Sequence, residues 1–330
     1  MPTPLRIATF NLEELDDKPS LKPTFLERLP VMRPQVDRLR ADILCLQEVH
    51  AQEQAQPGQP RELRALKKLI VGTPYEHFQH QAVTGTAPNE PYAERNLVIL
   101  SRFPIANSWQ FKHNKVPAPK YKKVTAIPPS DEASDQTWER PILYAKIDLP
   151  GNRSLHVINL HLKSKTPTDI RGQKIDEFTW KTAHGWAEGF FVSSMKRVGQ
   201  AVETRFLIDE LFDADAEAWI CVCGDFNADT EDVPVQAIRG DVENTGNKQH
   251  APRAMVPCEL TIPEPARFSI IHRGKGYMFD HLLVSRPLLA IYRRSEIHNE
   301  VLHDESVAFA TDVKFPESDH APVVAEFELP

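Results

Sequence analysis

The 330-residue sequence holds only four cysteines, Cys45, Cys221, Cys223 and Cys258. So few thiols in so long a chain exclude a disulfide scaffold. The spacing of Cys221 and Cys223 is not the C-x₂-C of a zinc site. Cys45 and Cys221 lie in apolar runs, so the thiols read as reduced core residues of an intracellular protein. A leader is also missing: MPTPLRIATFNL has no basic segment followed by an apolar one. No apolar run approaches the ~18 residues needed to span a bilayer. A soluble cytoplasmic protein without stable membrane insertion is expected. Positive charge is short as well. The 39 Lys and Arg stand against 46 Asp and Glu, a formal charge of −7. The field of the whole molecule therefore does not favour a polyanion such as DNA. One local basic stretch, Lys112, His113, Lys115, Lys120, Lys122 and Lys123, reads as a solvated loop. There is no internal repeat and no clear linker, so a single domain over residues 1–330 is expected.

What the chain does have is a series of short apolar runs bounded by Gly, Pro, Asn, Asp or Ser. They predict strands over Leu5–Phe10, Asp42–Gln47, Leu97–Leu100, Ile142–Ile147, Leu155–Leu160, Trp219–Cys223, Phe279–Val284 and Pro322–Phe327. Leu63, Leu66 and Ile70 share a helical face. Phe191, Met195, Val198, Val202, Leu207 and Leu211 predict a long amphipathic helix ending near Phe212. The alternation points to a layered α/β domain. Two stretches, 106–140 and 166–188, read as surface insertions.

Polar residues stand where these strands end. Asn11 follows the first, Glu48 the second, His161 the fifth and Asp225 the sixth. Asp280 opens its strand, and Asp319 and His320 precede the last. If the last two strands run opposite to the others, all these groups meet at one rim of a mixed arrangement. Glu48 is a hard oxygen ligand suited to Mg²⁺ or Mn²⁺. Asn11 can orient a water or a phosphate oxygen without adding charge, and Glu13 is a further candidate ligand two residues on. In CVCGDFNAD, Gly224 allows close backbone approach. Asp225 could hold an attacking water there, and Asn227 could donate to a phosphoryl oxygen. His320 suits a general base, with Asp280 on its other ring nitrogen fixing the tautomer. His161 could donate to phosphoryl oxygen or protonate the leaving group. Lys163 and Lys165 could meet phosphate as point charges, and Asn96, with Arg95, is expected to assist at the rim. His281 adjoins Asp280, but strand alternation turns it to the opposite face. It is read as structural, with His50, His77, His80, His113, His184 and His272 as surface or structural residues.

The segments TFNLEE, LQEV, NLVILSRFPI, INLHLKS, GDFNAD, FDHLLVS and SDHAPV, in this order, resemble the endonuclease/exonuclease/phosphatase superfamily of deoxyribonuclease I-like phosphoesterases. They run from Asn11 to His320. The resemblance implies a four-layer α/β/β/α sandwich of two mixed β-sheets flanked by helices, with the site at one mouth. It implies that Glu48 binds the essential metal with Asn11 and Asp319 nearby, and that Asp225 orients or deprotonates the water. It further implies that Asn227 contacts phosphate and that Asp280 pairs with His320. His161 is similar to a histidine of the deoxyribonuclease, sphingomyelinase and deadenylase branches. Phe279-Asp280-His281 departs from the Cys-Asp-Arg of inositol polyphosphate 5-phosphatases.

The reading is therefore a Mg²⁺- or Mn²⁺-dependent phosphodiester hydrolase, first of all a nuclease, attacking by in-line water. The proton acceptor is His320 or Asp225; sequence leaves both open. The alternative is a phospholipase C-type or small-molecule phosphodiesterase of the same superfamily. A calcineurin-like phosphatase would need an early Asp-x-His and a Gly-Asn-His-Glu stretch, and neither occurs. A non-catalytic member would not fill every polar position.

Overall fold

The interior strands are largely apolar on both sides, which is the pattern of a sheet covered on both faces. The computed structural model describes residues 3–330 apart from 55, 57, 86–89 and 312. It contains two six-stranded sheets. The first has the order 292–297, 323–329, 3–15, 43–49, 96–101, 79–82, and only the pair 3–15 and 43–49 is parallel. The second has the order 256–257, 280–284, 219–225, 153–161, 142–149, 105–111, and only the pair 219–225 and 153–161 is parallel.

Side-chain alternation then sets the layers. Leu5, Ile7, Ile43, Cys45, Leu97 and Ile99 of the first sheet meet Leu143, Leu155, Val157, Cys221, Cys223 and Leu282 of the second in one buried cluster. The intervening residues point outwards. Ala8, Phe10, Leu44, Leu46, Val98 and Leu100 are covered by Met32 and Val36 of the helix Phe25–Arg38 and by Leu66 and Leu69 of the helix Arg64–Ile70. Ile142, Ile158, Leu160, Ile220 and Val222 are covered by the helices Ala183–Ala214 and Val233–Arg239. This is the expected α/β/β/α sandwich. No helix among the described residues is long and apolar enough to cross a membrane.

A polar bridge crosses the layer between the sheets. Gln47 Nε2 donates to Asn159 Oδ1 at 2.7 Å, and Asn159 Nδ2 donates to Leu46 O and Val98 O at 3.1 and 3.0 Å. It ties the sheets together just below the ends that carry Glu48 and His161.

All eight expected strands are present, several longer by a few residues. The four core strands that the sequence reading omits, 79–82, 105–111, 256–257 and 292–297, are the four sheet edges. Edge strands are half exposed and need no apolar run; YRRSEI and IANSWQF show none. The boundary of the expected 106–140 insertion is thereby corrected: Ile105–Phe111 is a strand paired to Ile142–Ile147. The expected 166–188 insertion likewise ends in helix from Ala183.

The long helix also corrects the sequence reading. Its buried face is Val192, Arg197, Gln200, Ala201, Glu203, Thr204, Leu207, Ile208 and Phe212, while Phe191 is half exposed. The displacement has a polar cause. Arg197 donates to Lys163 O and Ser164 O, Gln200 to Arg140 O, and Glu203 accepts from the backbone of His113 and Lys115. The helix buries hydrogen-bonding side chains that hold loops, which an apolar count does not register.

Candidate active site

The two sheets end at a common rim because strands 280–284 and 323–329 do run opposite to the strands bearing Asn11 and Asp225. In the second sheet Asp225 lies in register between His161 and Asp280. Gly224 permits this closeness. Its φ is +135°, and a Cβ there would lie 2.0 Å from Leu160 O.

The first sheet reaches the rim through irregular backbone. Pairing slips between Asn11 and Leu15 and again between Leu46 and Val49. Glu13, Glu14, Glu48, Arg95 and Asn227 have φ of 44°, 50°, 58°, 56° and 50°. Left-handed backbone in non-glycine residues costs of order 1–3 kcal/mol each and persists only where surrounding bonds enforce it. Here those bonds include Glu14 N donating to Glu48 Oε2 at 3.0 Å and Arg28 donating to Leu12 O, Glu13 O and Pro316 O. The bulges turn Glu13 and Glu48 into the mouth.

At the centre stands Asp225. Its Oδ2 accepts from Asn11 Nδ2 at 3.1 Å and Asn227 Nδ2 at 2.9 Å, and faces His161 Nε2 at 3.2 Å. Its Oδ1 accepts from Asn227 N at 2.8 Å. Burial would raise its pKa, but the His320 and His161 rings and the Asn227 bond outweigh this and hold it well below the usual range. Burial, then the Arg140 guanidinium, keep His161 neutral by lowering its pKa. His161 Nε2 also lies 3.5 Å from Glu48 Oε1.

His320 Nδ1 lies 2.7 Å from Asp280 Oδ2. Its Nε2 lies 4.0 Å from Asp225 Oδ2 and 3.9 Å from Asp319 Oδ1, beyond hydrogen-bond reach of either. Burial opposes its charge, yet Asp280, Asp225 and Asp319 together raise its pKa well above the ordinary value. So the ring, pushed towards its charged form, points into a gap between two acids.

Glu13, Glu48 and Asp319 make a second acidic group. Burial and then the neighbouring Asp319 push Glu13 up to about 8. Burial, and the charge of Glu48 against the opposing His320, leave Asp319 at about 7. Carboxylates crowded into such repulsion fit a hard divalent cation, whose charge would relieve it. Asp225, Asp280 and His320 also offer ligand atoms within 4.8 Å of one another. There, however, the His320–Asp280 contact is a hydrogen bond that already occupies Nδ1.

The remaining expected residues are placed as follows. Asn11 is no free ligand, since Oδ1 accepts from Glu13 N at 3.0 Å. Asn227 Nδ2 donates to Leu162 O at 3.1 Å as well as to Asp225. Asn96 lies fully buried below the rim, donating to Val49 O and Tyr92 O. Lys163 turns to Ser164 Oγ and Thr166 O. Lys165 pairs with Asp232 at 2.9 Å and lies over the Phe279 ring. With Asn227, Tyr277, Phe279 and His320 it lines a cleft of about 460 Å³. His281 lies on the opposite face from Asp280, fully buried.

One residue at the rim was not singled out from sequence. Arg140 Nη1 donates to His161 O at 3.2 Å, and its charge acts on Glu48, Asp225 and His161. The available signal was its place directly before Pro141 and the strand Ile142–Leu149. That strand runs antiparallel to the one ending at His161, so it begins at the same rim.

Residues 8–320 match the model of the Endonuclease/Exonuclease/phosphatase family. Three solved structures share the fold over nearly whole chains. An endonuclease/exonuclease/phosphatase family protein of Bacteroides thetaiotaomicron has 16% identity and a TM-score of 0.60, over 100% of this chain and 96% of that one. A mannosyl-6-phosphatase of the same organism has 16% identity and a TM-score of 0.57, over 97% and 98%. The 3′ phosphatase NExo from Neisseria, solved with a product DNA hairpin, has 18% identity and a TM-score of 0.51, over 98% and 99%. No curated protein matches the sequence significantly. The match over 313 of the 330 residues (320 − 8 + 1) settles the family: the chain belongs to the endonuclease/exonuclease/phosphatase family, whose members are typically phosphoester hydrolases that depend on a divalent metal.

Proposed function

We propose that the protein is a divalent-metal-dependent phosphodiester hydrolase, and within that class a nuclease, working as one domain over residues 1–330. The observation that carries the reading is the convergence of Asp225, His320 and Asp319 on one gap, with Glu48 against His161 and Glu13 against the Asp319 backbone beside it. A Mg²⁺ or Mn²⁺ ion held by Glu48 and Asp319, with Glu13 and Asn11 beside them, would polarise the phosphate and neutralise developing charge.

The chain's own groups do the rest. Asp225, ionised and gripped by Asn11 and Asn227, orients the attacking water and accepts its proton. Asp280, Asp225 and Asp319 favour the charged form of His320, so in this reading it donates from Nε2 to a phosphoryl oxygen, steered by Asp280. Arg140 meets the phosphate as a planar cation. His161 holds Asp225 and Glu48 in place. It reaches the phosphate itself only if substrate displaces its bonds to them.

Nucleic acid is the preferred substrate. Tyr277 and Phe279, with ring centroids 5.6 Å apart, offer stacking surface beside His320, and Lys165 adds charge to the same cleft. Among the structural neighbours one phosphatase is named for a mannosyl 6-phosphate and another is bound to a DNA hairpin, so the fold accepts both sugar and nucleic-acid phosphates. A cytoplasmic site of action belongs to the same reading, supported by four free, buried thiols.

The test is hydrolysis of bis-p-nitrophenyl phosphate with Mg²⁺, with Mn²⁺ and with EDTA, using Asp225→Asn as control. Turnover that survives chelation, or full activity in the variant, would overturn the mechanism. Single-stranded DNA, duplex DNA, RNA, sphingomyelin and a sugar phosphate assayed in parallel decide the substrate class.

A further inference from the structure

Behind the rim, two ionisable side chains lie with no exposed surface: Glu259 and His281. His281 sits on the strand Asp280–Val284 but faces outwards, with the Phe226 ring 5.1 Å away. Its Nδ1 lies 2.6 Å from Glu259 Oε1, and its Nε2 lies 2.9 Å from Ala228 O. A carbonyl oxygen only accepts, so Nε2 carries hydrogen and donates. Glu259 Oε2 accepts from Leu282 N at 3.3 Å, which braces the carboxylate against the same strand.

Ala228 closes the bend Asp225–Asn227. That bend is tight: Asn227 has a φ of 50°, Phe226 N donates to Phe279 O, and Asn227 N donates back to Asp225 Oδ1. The imidazole therefore pins the far end of the segment whose near end is Asp225. We infer that His281, braced by Glu259, is a positioning residue: through the Ala228 carbonyl it fixes the bend that aims the Asp225 carboxylate and the Asn227 amide. The same strand presents Asp280 to His320 on its inner face, so one short element aligns both halves of the proton machinery. A buried Glu–His pair is weak support for stability as such, since apolar side chains of similar volume often serve as well. Its distinguishing consequence here is geometric.

This inference rests on the phosphodiester hydrolase reading, so wild-type turnover with Mn²⁺ is measured first. Absence of metal-dependent turnover there removes that reading, before any variant is considered. Two double variants of the full chain then decide the inference. Glu259→Leu with His281→Leu removes both charges and the donor to Ala228. Glu259→Gln with His281→Gln removes the charges but keeps an amide N–H that can reach Ala228 O. The Leu pair is expected to lose about 10²-fold in kcat while folded by thermal unfolding, as misplacement of a reacting group does. Its KM should stay within about threefold, the pattern of a lost transition-state alignment. The Gln pair is expected to recover at least about tenfold of that loss. Wild-type kcat in a folded Leu pair overturns the inference, and so does a Gln pair as impaired as the Leu pair. Should the Leu pair fail to fold, a loss of about 10²-fold in the folded Gln pair overturns it alone.

Discussion

Arg140 is the rim residue whose charge has the least to do within the protein. Its side-chain hydrogen bond goes to a carbonyl, His161 O, while Glu48 and Asp225 attract it through charge. On the proposed reading this half-buried guanidinium is available to the substrate's phosphate. Arg140→Ala should lower kcat/KM on bis-p-nitrophenyl phosphate by about 10²–10³-fold, the usual loss for one transition-state donor. Arg140→Lys should recover only part of it, because an ammonium cannot reproduce the planar fork. Steady-state kinetics of the two variants check this. Equal, wild-type-like rates would place Arg140 outside the reaction.

At the scale of elements, the site depends on strands that approach more closely than side chains allow. Gly224→Ala would force a Cβ against Leu160 O in a backbone region that L residues rarely adopt. The variant should lose about 3 kcal/mol or more in urea unfolding. Activity should fall with it, since Asp225 and His161 separate. A second element carries a pH dependence. Asp17, after the first strand, binds Arg64 with Nε and Nη2 at 2.7 and 2.8 Å, and Lys68 at 2.7 Å, on the helix Arg64–Ile70. The Arg64 hydrogen bond, against some burial, lowers its pKa to about 2. A carboxylate whose pKa falls on folding contributes stability above its unfolded pKa of ~4 and loses it as pH drops towards the folded value. The stability difference between wild type and Asp17→Asn should thus be full at neutral pH and shrink below about pH 4. Urea titrations at neutral and acid pH read it directly. A difference that stays constant across that range would contradict the pairing.

For the whole molecule, the question is how two separate sheets keep their ends aligned. Gln47 and Asn159 give the answer, since Asn159 is fully buried and bonded to three groups of the first sheet. Asn159→Ala would remove the buried donor to Leu46 O and Val98 O and the acceptor of the Gln47 amide, which keeps Thr9 Oγ1 and Cys45 O. It should cost about 3 kcal/mol or more and reduce turnover even where the protein remains folded, because Glu48 and Asp225 belong to different sheets. The acidic group of Glu13, Glu48 and Asp319 gives another global signal. Asp319 raises Glu13, and Glu48 in turn raises Asp319. Mg²⁺ or Mn²⁺ at about a hundred times its Kd should raise Tm by roughly 5 °C, as a ligand bound to the folded state alone does. Glu48→Gln should abolish the shift, and differential scanning fluorimetry with and without EDTA measures both.

The sequence by itself determined the interior strands, because a strand buried on both faces must be apolar at every position and carries turn residues at its ends. It also determined which polar groups stand at those ends: Asn11, Glu48, His161, Asp225, Asp280, Asp319 and His320. It did not show the four edge strands, since an edge half in water needs no apolar pattern. Nor did it place the buried face of the long helix, where Arg197, Gln200 and Glu203 are satisfied by distant backbone. Only the tertiary structure decided what each polar group faces. Strand direction brought Asp280 and His320 to the rim, and bulges turned Glu13 and Glu48 inward. A neighbouring strand delivered Arg140, and side-chain alternation left His281 behind the site on the Ala228 carbonyl. Those contacts join residues up to some three hundred positions apart, so they follow from how the sheets pack and not from any local pattern.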